Sequence, residues 1–379
     1  MKLIKNVNII FNNNIKKGNI LFNDQIIKVI NNKKIKKYLD KDKVQIIDGR
    51  GCYLAPGFID IHIHGASGYD TMNADYKSIN EISKAVIQTG VTSFLPTTMS
   101  MPVNDIHAAL VNIKNVIKQG TDGARVLGTH LEGPFLNKDY KGAQKENYII
   151  SPEINLIEDY IDIIKIVTIA PEIAGADKLI KYLHNNDIIV SLGHSGATYE
   201  QVITAKSRGL THVTHLFNGM RGLHHREPGV VGAALNTDMS CELIADFIHI
   251  NPEVLKIVFK IKELDKIILI TDQMKAGLQG DGLYQLGGQK VIVKDGAARL
   301  KSGTLAGSVL TLDQAVKNIY SLDQLSLPDI INMVTLNPAW LLGLGSQLGQ
   351  LKPGYKADMV LLDGQLNLKR VFKEGKEVI

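Results

Sequence analysis

The chain has 379 residues, of which 45% are apolar, and a formal net charge of +5. That length exceeds one ordinary core and predicts two domains, or one large barrel with an appendage. The composition argues against a membrane-spanning protein and a nucleic-acid binder: no apolar run is long enough to cross a bilayer. Aromatics make up only 6%, and the lysines of the first 43 residues alternate with asparagines and isoleucines, without a recognisable basic module. Cys52 and Cys241 are the only cysteines, too few for a disulfide framework. Met1-Lys2-Leu3-Ile4-Lys5 runs into asparagines and lysines rather than an apolar signal core, so a cytoplasmic location is expected.

In chain order, residues 2–10, 18–30 and 44–54 read as strands, with turn material at Asn12-Asn13-Asn14 and Asn31-Asn32. Candidate strands then end near His64, Pro96, Glu132, Ala170, His194, His215, His249 and Asp272. Helix-like runs lie between most of them, such as 78–89 with Ile79, Ile82 and Val86, and 198–208 with Val202 and Ala205. Strands alternating with helices in this way predict an α/β chain with a (β/α)8 TIM barrel. A hairpin insertion is expected at 284–300, punctuated by Gly287-Gly288 and Asp295-Gly296. Helix-like runs at 312–320 and 329–342 close the barrel. Residues 357–362 and 368–372 return to strand character. The expected division is a small β-sandwich domain from 1–54 plus 346–379, and a barrel over 55–345.

Chemistry concentrates at the strand ends. His62 and His64 alternate in Ile59-Asp60-Ile61-His62-Ile63-His64, so their imidazoles share one face. Glu132, His194, His215 and Asp272 each follow an apolar, β-rich run. Barrel enzymes place reacting groups at the C-terminal ends of their strands, so these six converge on one mouth. A lone strand-end histidine is usually a hydrogen-bonded structural residue, and Asp272 alone could cap a helix. Together they form a donor set of imidazole and carboxylate that suits Zn²⁺ or Fe²⁺. Such an ion lowers the pKa of bound water from about 15.7 towards about 7, and Asp272 is the candidate general base and acid. His130 shares the face of Glu132 and reads as structural. His212, three before His215, reads as packing on the opposite strand face. His107 and His184 read as surface, and His224 and His225 sit in a loop with Arg221 and Arg226.

The segments His62-Ile63-His64-Gly65, His130-Leu131-Glu132-Gly133-Pro134-Phe135, Gly193-His194-Ser195, His215-Leu216-Phe217-Asn218-Gly219-Met220, Arg226-Glu227-Pro228-Gly229 and Thr271-Asp272 together resemble the N-acetylglucosamine-6-phosphate deacetylase family of the amidohydrolase superfamily. The likeness extends through Leu305-Ala306-Gly307-Ser308 and Asn337-Pro338-Ala339, so it covers essentially the whole chain. It implies hydrolysis of N-acetylglucosamine 6-phosphate to glucosamine 6-phosphate and acetate. It implies Glu132, His194 and His215 as principal metal ligands and Asp272 as the proton-transfer residue. Ala143, Gln144, Asn218, Gly219, Arg226, His249, Leu305, Ala306 and Gly307 match its substrate-binding segments. It further implies a homodimer in which Arg226 reaches the phosphate across the interface.

Some members lack the His-x-His pair and hold one metal; others keep it and can hold two. This chain keeps it. The expectation is therefore one or two divalent ions per subunit, zinc first and iron second, with Glu132 bridging and His62, His64 and Asp272 at the second position. Gln144 stands where some members carry a carbonyl-polarising histidine, a task that would pass to the second ion. The competing readings are an enzyme for the galactosamine isomer or a cyclic amide, and a non-catalytic scaffold on the same fold. A scaffold predicts lost ligands, and all six are present.

Overall fold

The computed structural model describes residues 1–31 and 44–379; Asn32 and the lysine-rich run at 33–43 lie outside the described residues. The described chain forms two compact units, one of Met1–Asp60, Val86–Ser93 and Leu312–Ile379, the other of Ile61–Ala85 and Phe94–Thr311.

In the first unit, both chain ends enter one sheet. The strand Lys2–Ile10 pairs antiparallel with Ile15–Phe22 and parallel with Gln45–Asp48 and Tyr53–Pro56. Tyr53–Pro56 pairs antiparallel with Met359–Leu362, which continues to Leu368–Lys373. Ile4, Ile9, Phe22, Leu54, Met359 and Phe372 fill its core, and the rings of Phe22 and Phe372 meet edge to face at 5.6 Å. Each such side chain stabilises the unit by about 1.5–3 kcal/mol. The pairing of Tyr53–Pro56 with Met359–Leu362, from opposite ends of the chain, rests on these apolar faces rather than on a local turn.

The catalytic candidates belong to the second unit and lie at or just beyond the ends of eight strands. These are β1 (Phe58–Ile63), β2 (Val91–Pro96), β3 (Thr129–Glu132), β4 (Ile164–Ile169), β5 (Ile189–Leu192), β6 (Leu210–Val213), β7 (Ser240–Ile244) and β8 (Ile267–Ile270). Strands β3 to β8 make one parallel sheet in sequence order. Strands β1 and β2 are neighbours in a second sheet, and single parallel bridges join Thr97 to His130 and Ile63 to Gln273. The result is a mixed α/β fold with a curled parallel sheet. Every residue of β8, Ile-Ile-Leu-Ile, is buried, as parallel strands covered on both faces require. The helices between strands bury one stripe. In Ala176–Asn185 the buried residues are Ala176, Leu179, Ile180 and Leu183, one face of a 3.6-residue period. Thr198 opens Tyr199–Lys206 with a reciprocal capping box to Gln201.

The strand ends differ from expectation at four places. β5, β6 and β8 stop two residues before His194, His215 and Asp272, and β7 stops at Ile244 rather than near His249. The reason is backbone sign. His194, His215, Asp272 and Phe247 have φ of 48°, 31°, 47° and 65°, a left-handed conformation that breaks the ladder. The insertion is a three-stranded meander, Gly282–Leu286, Gln289–Lys294 and Ala297–Leu300, not a single hairpin. Its two-residue turns are Gly287-Gly288 and Asp295-Gly296, all at positive φ, as type I′ turns demand.

Candidate active site

The six strand-end groups converge on the carboxylate of Glu132. Its Oε1 lies 2.9 Å from His215 Nε2, 3.3 Å from His194 Nε2 and 3.5 Å from His62 Nε2. Its Oε2 lies 3.3 Å from His64 Nε2 and accepts from Gln144 Nε2 at 2.7 Å. Asp272 Oδ1 stands 3.2 Å from His64 Nε2 and 3.6 Å from His62 Nε2. The left-handed turns at His194, His215 and Asp272 make this possible, because each swings a side chain off the strand line towards Glu132.

The second nitrogen of each ring is already committed. Nδ1 donates to Tyr140 O in His194 (2.9 Å), to Asn218 O in His215 (3.1 Å), to Thr97 O in His64 (3.2 Å) and to Glu242 Oε2 in His62 (2.9 Å). Carbonyl oxygens only accept, so in the neutral rings of His194 and His215 both Nε2 atoms are bare lone pairs. They face each other at 3.2 Å beside a carboxylate oxygen. Two bare lone pairs so placed repel each other, and a cation among them relieves that repulsion. A buried set of imidazole and carboxylate donors with fixed tautomers fits a divalent ion such as Zn²⁺ or Fe²⁺. Two such triplets share Glu132: Glu132, His194 and His215; and His62, His64 and Glu132.

The same electrostatics appear in protonation. Burial pulls the His62 imidazole down, but the Glu242 and Glu132 carboxylates override it and hold it up at about 9. Burial would raise Glu132, yet His62, His194, His215 and His64 hold it well below the usual carboxylate range. Burial likewise pushes Asp272 up, and the His64 hydrogen bond and His62 charge bring it below its ordinary value.

Glu242 is the site residue that sequence reasoning missed. It is fully buried on β7 and accepts from His62 Nδ1 (2.9 Å), His215 N (3.1 Å) and His212 Nε2 (3.3 Å). Its only signal in the chain is a carboxylate inside the apolar run Cys241-Glu242-Leu243-Ile244. His212 is therefore not on the opposite face: it shares the buried network through Glu242, and its Nδ1 meets Ser240 Oγ at 2.7 Å. His130 is buried as expected, with its nitrogens on Ile61 O (3.1 Å) and Thr168 Oγ1 (2.7 Å). Burial and the neighbouring His62 charge push it down to about 3.

A cavity of about 390 Å³ opens over Glu132, His64, His194, His215 and Asp272. Ala143, Gln144, Asn218, Gly219, His249, Leu305 and Gly307 line it. His62, Ala306 and Arg226 are not among the residues that line it. His62 is fully buried behind His64, and Ala306 is fully buried, its N–H spent on Ala298 O at 3.0 Å. Arg226 is exposed beside His225 Nε2 (2.7 Å) and does not reach the cavity of its own chain. Met99, Leu286, Arg299 and Thr304 line it without having been anticipated; Leu286 and Arg299 belong to the inserted meander.

The family model described as "Amidohydrolase family" matches residues 53–378. A curated N-acetylglucosamine-6-phosphate deacetylase of Lysinibacillus sphaericus is 40% identical over 347 residues, covering 90% of this chain and 89% of the relative. An N-acetylgalactosamine-6-phosphate deacetylase of Escherichia coli O157:H7 is 39% identical, covering 85% of this chain and 87% of the relative. Among solved structures, an N-acetylglucosamine-6-phosphate deacetylase of Thermotoga maritima superposes with a TM-score of 0.90 at 36% identity, over 100% of this chain and 99% of that one.

Proposed function

The chain belongs to the amidohydrolase family, and on that premise we propose that it hydrolyses the N-acetyl group of N-acetylglucosamine 6-phosphate to give glucosamine 6-phosphate and acetate. The observation that carries this reading is the convergence of His62, His64, His194, His215 and Asp272 on Glu132 at the floor of the cavity. The names of the relatives supply the substrate class.

Glu132, His194 and His215 would hold one divalent ion, zinc or iron. His62, His64 and Asp272 would hold a second, with Glu132 between them. An ion so held supplies Lewis-acid polarisation of the acetyl carbonyl and lowers the pKa of water. Asp272, its carboxylate ionised, takes the proton of the attacking water and delivers it to the departing amine nitrogen. Water and the amide are consumed; acetate and the amine leave. Gln144 is anchored by Ser100 N at 2.8 Å and steadies Glu132. His249, Asn218, Gly219, Ala143, Leu305 and Gly307 surround the sugar phosphate, for which the cavity volume is adequate.

In this reading the chain is a homodimer, and Arg226, exposed on its own subunit, completes the partner's phosphate site. The parallel strands close into a (β/α)8 barrel, and the terminal sheet folds as a sandwich. Free Cys52 and Cys241 support a cytoplasmic enzyme, and among the described residues no helix is long and apolar enough to cross a membrane. One specific finding favours a second substrate: the Escherichia coli relative is named for the galactosamine isomer.

Acetate release from both 6-phosphates, with and without chelator, tests the proposal. The expected result is turnover of the glucosamine derivative that falls to background on chelation and returns with Zn²⁺. No acetate from either sugar, or full turnover after chelation, sinks it.

A further inference from the structure

Just beyond β4 stands a carboxylate, Glu172, that is not among the residues lining the cavity. Its Oε1 accepts from Gly196 N (2.6 Å) and Asn137 Nδ2 (2.8 Å), and its Oε2 accepts from Ser195 Oγ (2.7 Å). Ser195 and Gly196 come directly after His194. Asn137, in the segment beyond β3, holds His194 as well: its N–H donates to His194 O at 3.0 Å. Its Oδ1 accepts from Asp139 N at 2.9 Å and caps the short turn Lys138–Tyr140. That turn presents Tyr140 O, the acceptor of His194 Nδ1 at 2.9 Å. The Tyr140 ring in turn packs on Gly196, where an added Cβ would come within 2.4 Å of it.

One carboxylate therefore grips His194 by two arms. The first holds the backbone just past it, and the second holds the turn whose carbonyl fixes its ring. His194 needs both. At φ 48° its backbone lies where non-glycine residues are uncommon and persist only when their neighbours enforce it. Its ring must keep its proton on Nδ1 for Nε2 to stay bare. We propose that Glu172 is a positioning residue: it locks the orientation and tautomer of His194, and so sets how firmly Glu132, His194 and His215 hold a divalent ion. This inference rests on the reading that those three residues hold an ion.

Glu172→Ala removes both arms, whereas Glu172→Gln keeps them. Its amide oxygen accepts from Asn137 and Gly196, and its amide nitrogen donates to the Ser195 hydroxyl oxygen. Titration of the metal-free protein with Zn²⁺ against a coloured chelator reads the effect, with the binding step of interest identified by its loss in His194→Gln. That step should weaken about 10–100-fold in Glu172→Ala, the usual size when the outer partner of a metal ligand is lost. In Glu172→Gln it should return to within about threefold of the wild type, since each hydrogen bond keeps a partner. An equal loss in Glu172→Gln overturns the proposal. So does an unchanged step in Glu172→Ala, even where the thermal midpoint of the metal-free protein falls, because that pattern marks a merely structural role.

Long-range ¹H–¹⁵N spectra of the metal-free wild type, with His194→Gln to assign the ring, should show His194 protonated on Nδ1. Glu172→Ala should show the proton shared between Nδ1 and Nε2, and Glu172→Gln should keep it on Nδ1. A wild-type ring bare at Nδ1, or a ring wholly protonated there in Glu172→Ala, overturns the proposal. Where Glu172→Ala does not fold, Asn137→Ala, which cuts the ring-side arm alone, takes its place with the same expectations in both measurements. If the wild type binds no Zn²⁺, the metal reading of the site fails, while the spectra still decide whether Glu172 holds the ring. Neither readout uses acetate release, so failure of the deacetylase reading leaves both standing.

Discussion

At the scale of single residues, the site works by denying its histidines a choice. Every ring that faces Glu132 has its Nδ1 bound elsewhere, so Nε2 is the only atom it can offer. Asp272 is different: it touches His64 and His62 yet lines the open cavity. That position suits a proton carrier better than a purely structural anion. Asp272→Asn should therefore keep substrate binding and lower acetate release by about 10²–10⁴-fold, the usual size of a general acid–base contribution. Near-normal turnover by that variant would remove Asp272 from the mechanism. His62 and His64 were legible because two-residue periodicity on a strand puts both on one face. That the Ala306 N–H is already spent on Ala298 O is not legible in the sequence.

At the scale of elements, one strand orients the ligands of others. Glu242 on β7 fixes His62 on β1 and the backbone of His215 beyond β6. Groups that hold a ligand's far nitrogen set its tautomer and basicity, and losing one typically weakens metal affinity about 10–100-fold. Glu242→Gln turns one carboxylate oxygen into an amide donor that must face at least one of the three donors, so it should lower affinity at the His62/His64 position by that order. Competition with a coloured chelator reads this directly, and unchanged affinity and stoichiometry would contradict it. No periodicity exposes Glu242: one carboxylate in an apolar strand looks the same whether it meets a ligand or a lysine. The inserted meander was more legible, since Gly287-Gly288 and Asp295-Gly296 announce turns that need positive φ. That its Leu286 and Arg299 reach the cavity was not.

At the scale of the whole molecule, the cluster around Glu132 links folding to metal. Rings and carboxylates drawn from β1, β3 and the segments beyond β1, β5, β6 and β8 are packed within reach of one cation. An ion bound only by the native state adds stability by mass action, about 2.7 kcal/mol at a hundredfold excess over Kd. Chelation should therefore lower the thermal midpoint by several degrees, and readdition of Zn²⁺ should restore it. An unchanged midpoint across that cycle would mean that no ion is held there in the folded protein.

The parallel α/β pattern, the pairing of both chain ends and the donor set of His62, His64, Glu132, His194, His215 and Asp272 were determined by sequence alone. Each rests on local chemistry: periodic apolar faces, turn residues, and ligand types at strand ends. Tertiary structure alone decided the left-handed turns that aim His194, His215 and Asp272, the hidden partnership of Glu242 with His62 and His212, and the placing of Glu172 against Ser195 and Gly196. It also put Arg299 of the inserted meander at the cavity. Those outcomes depend on which buried donors find which acceptors across the chain, and the linear order of residues does not encode that until the strands have packed.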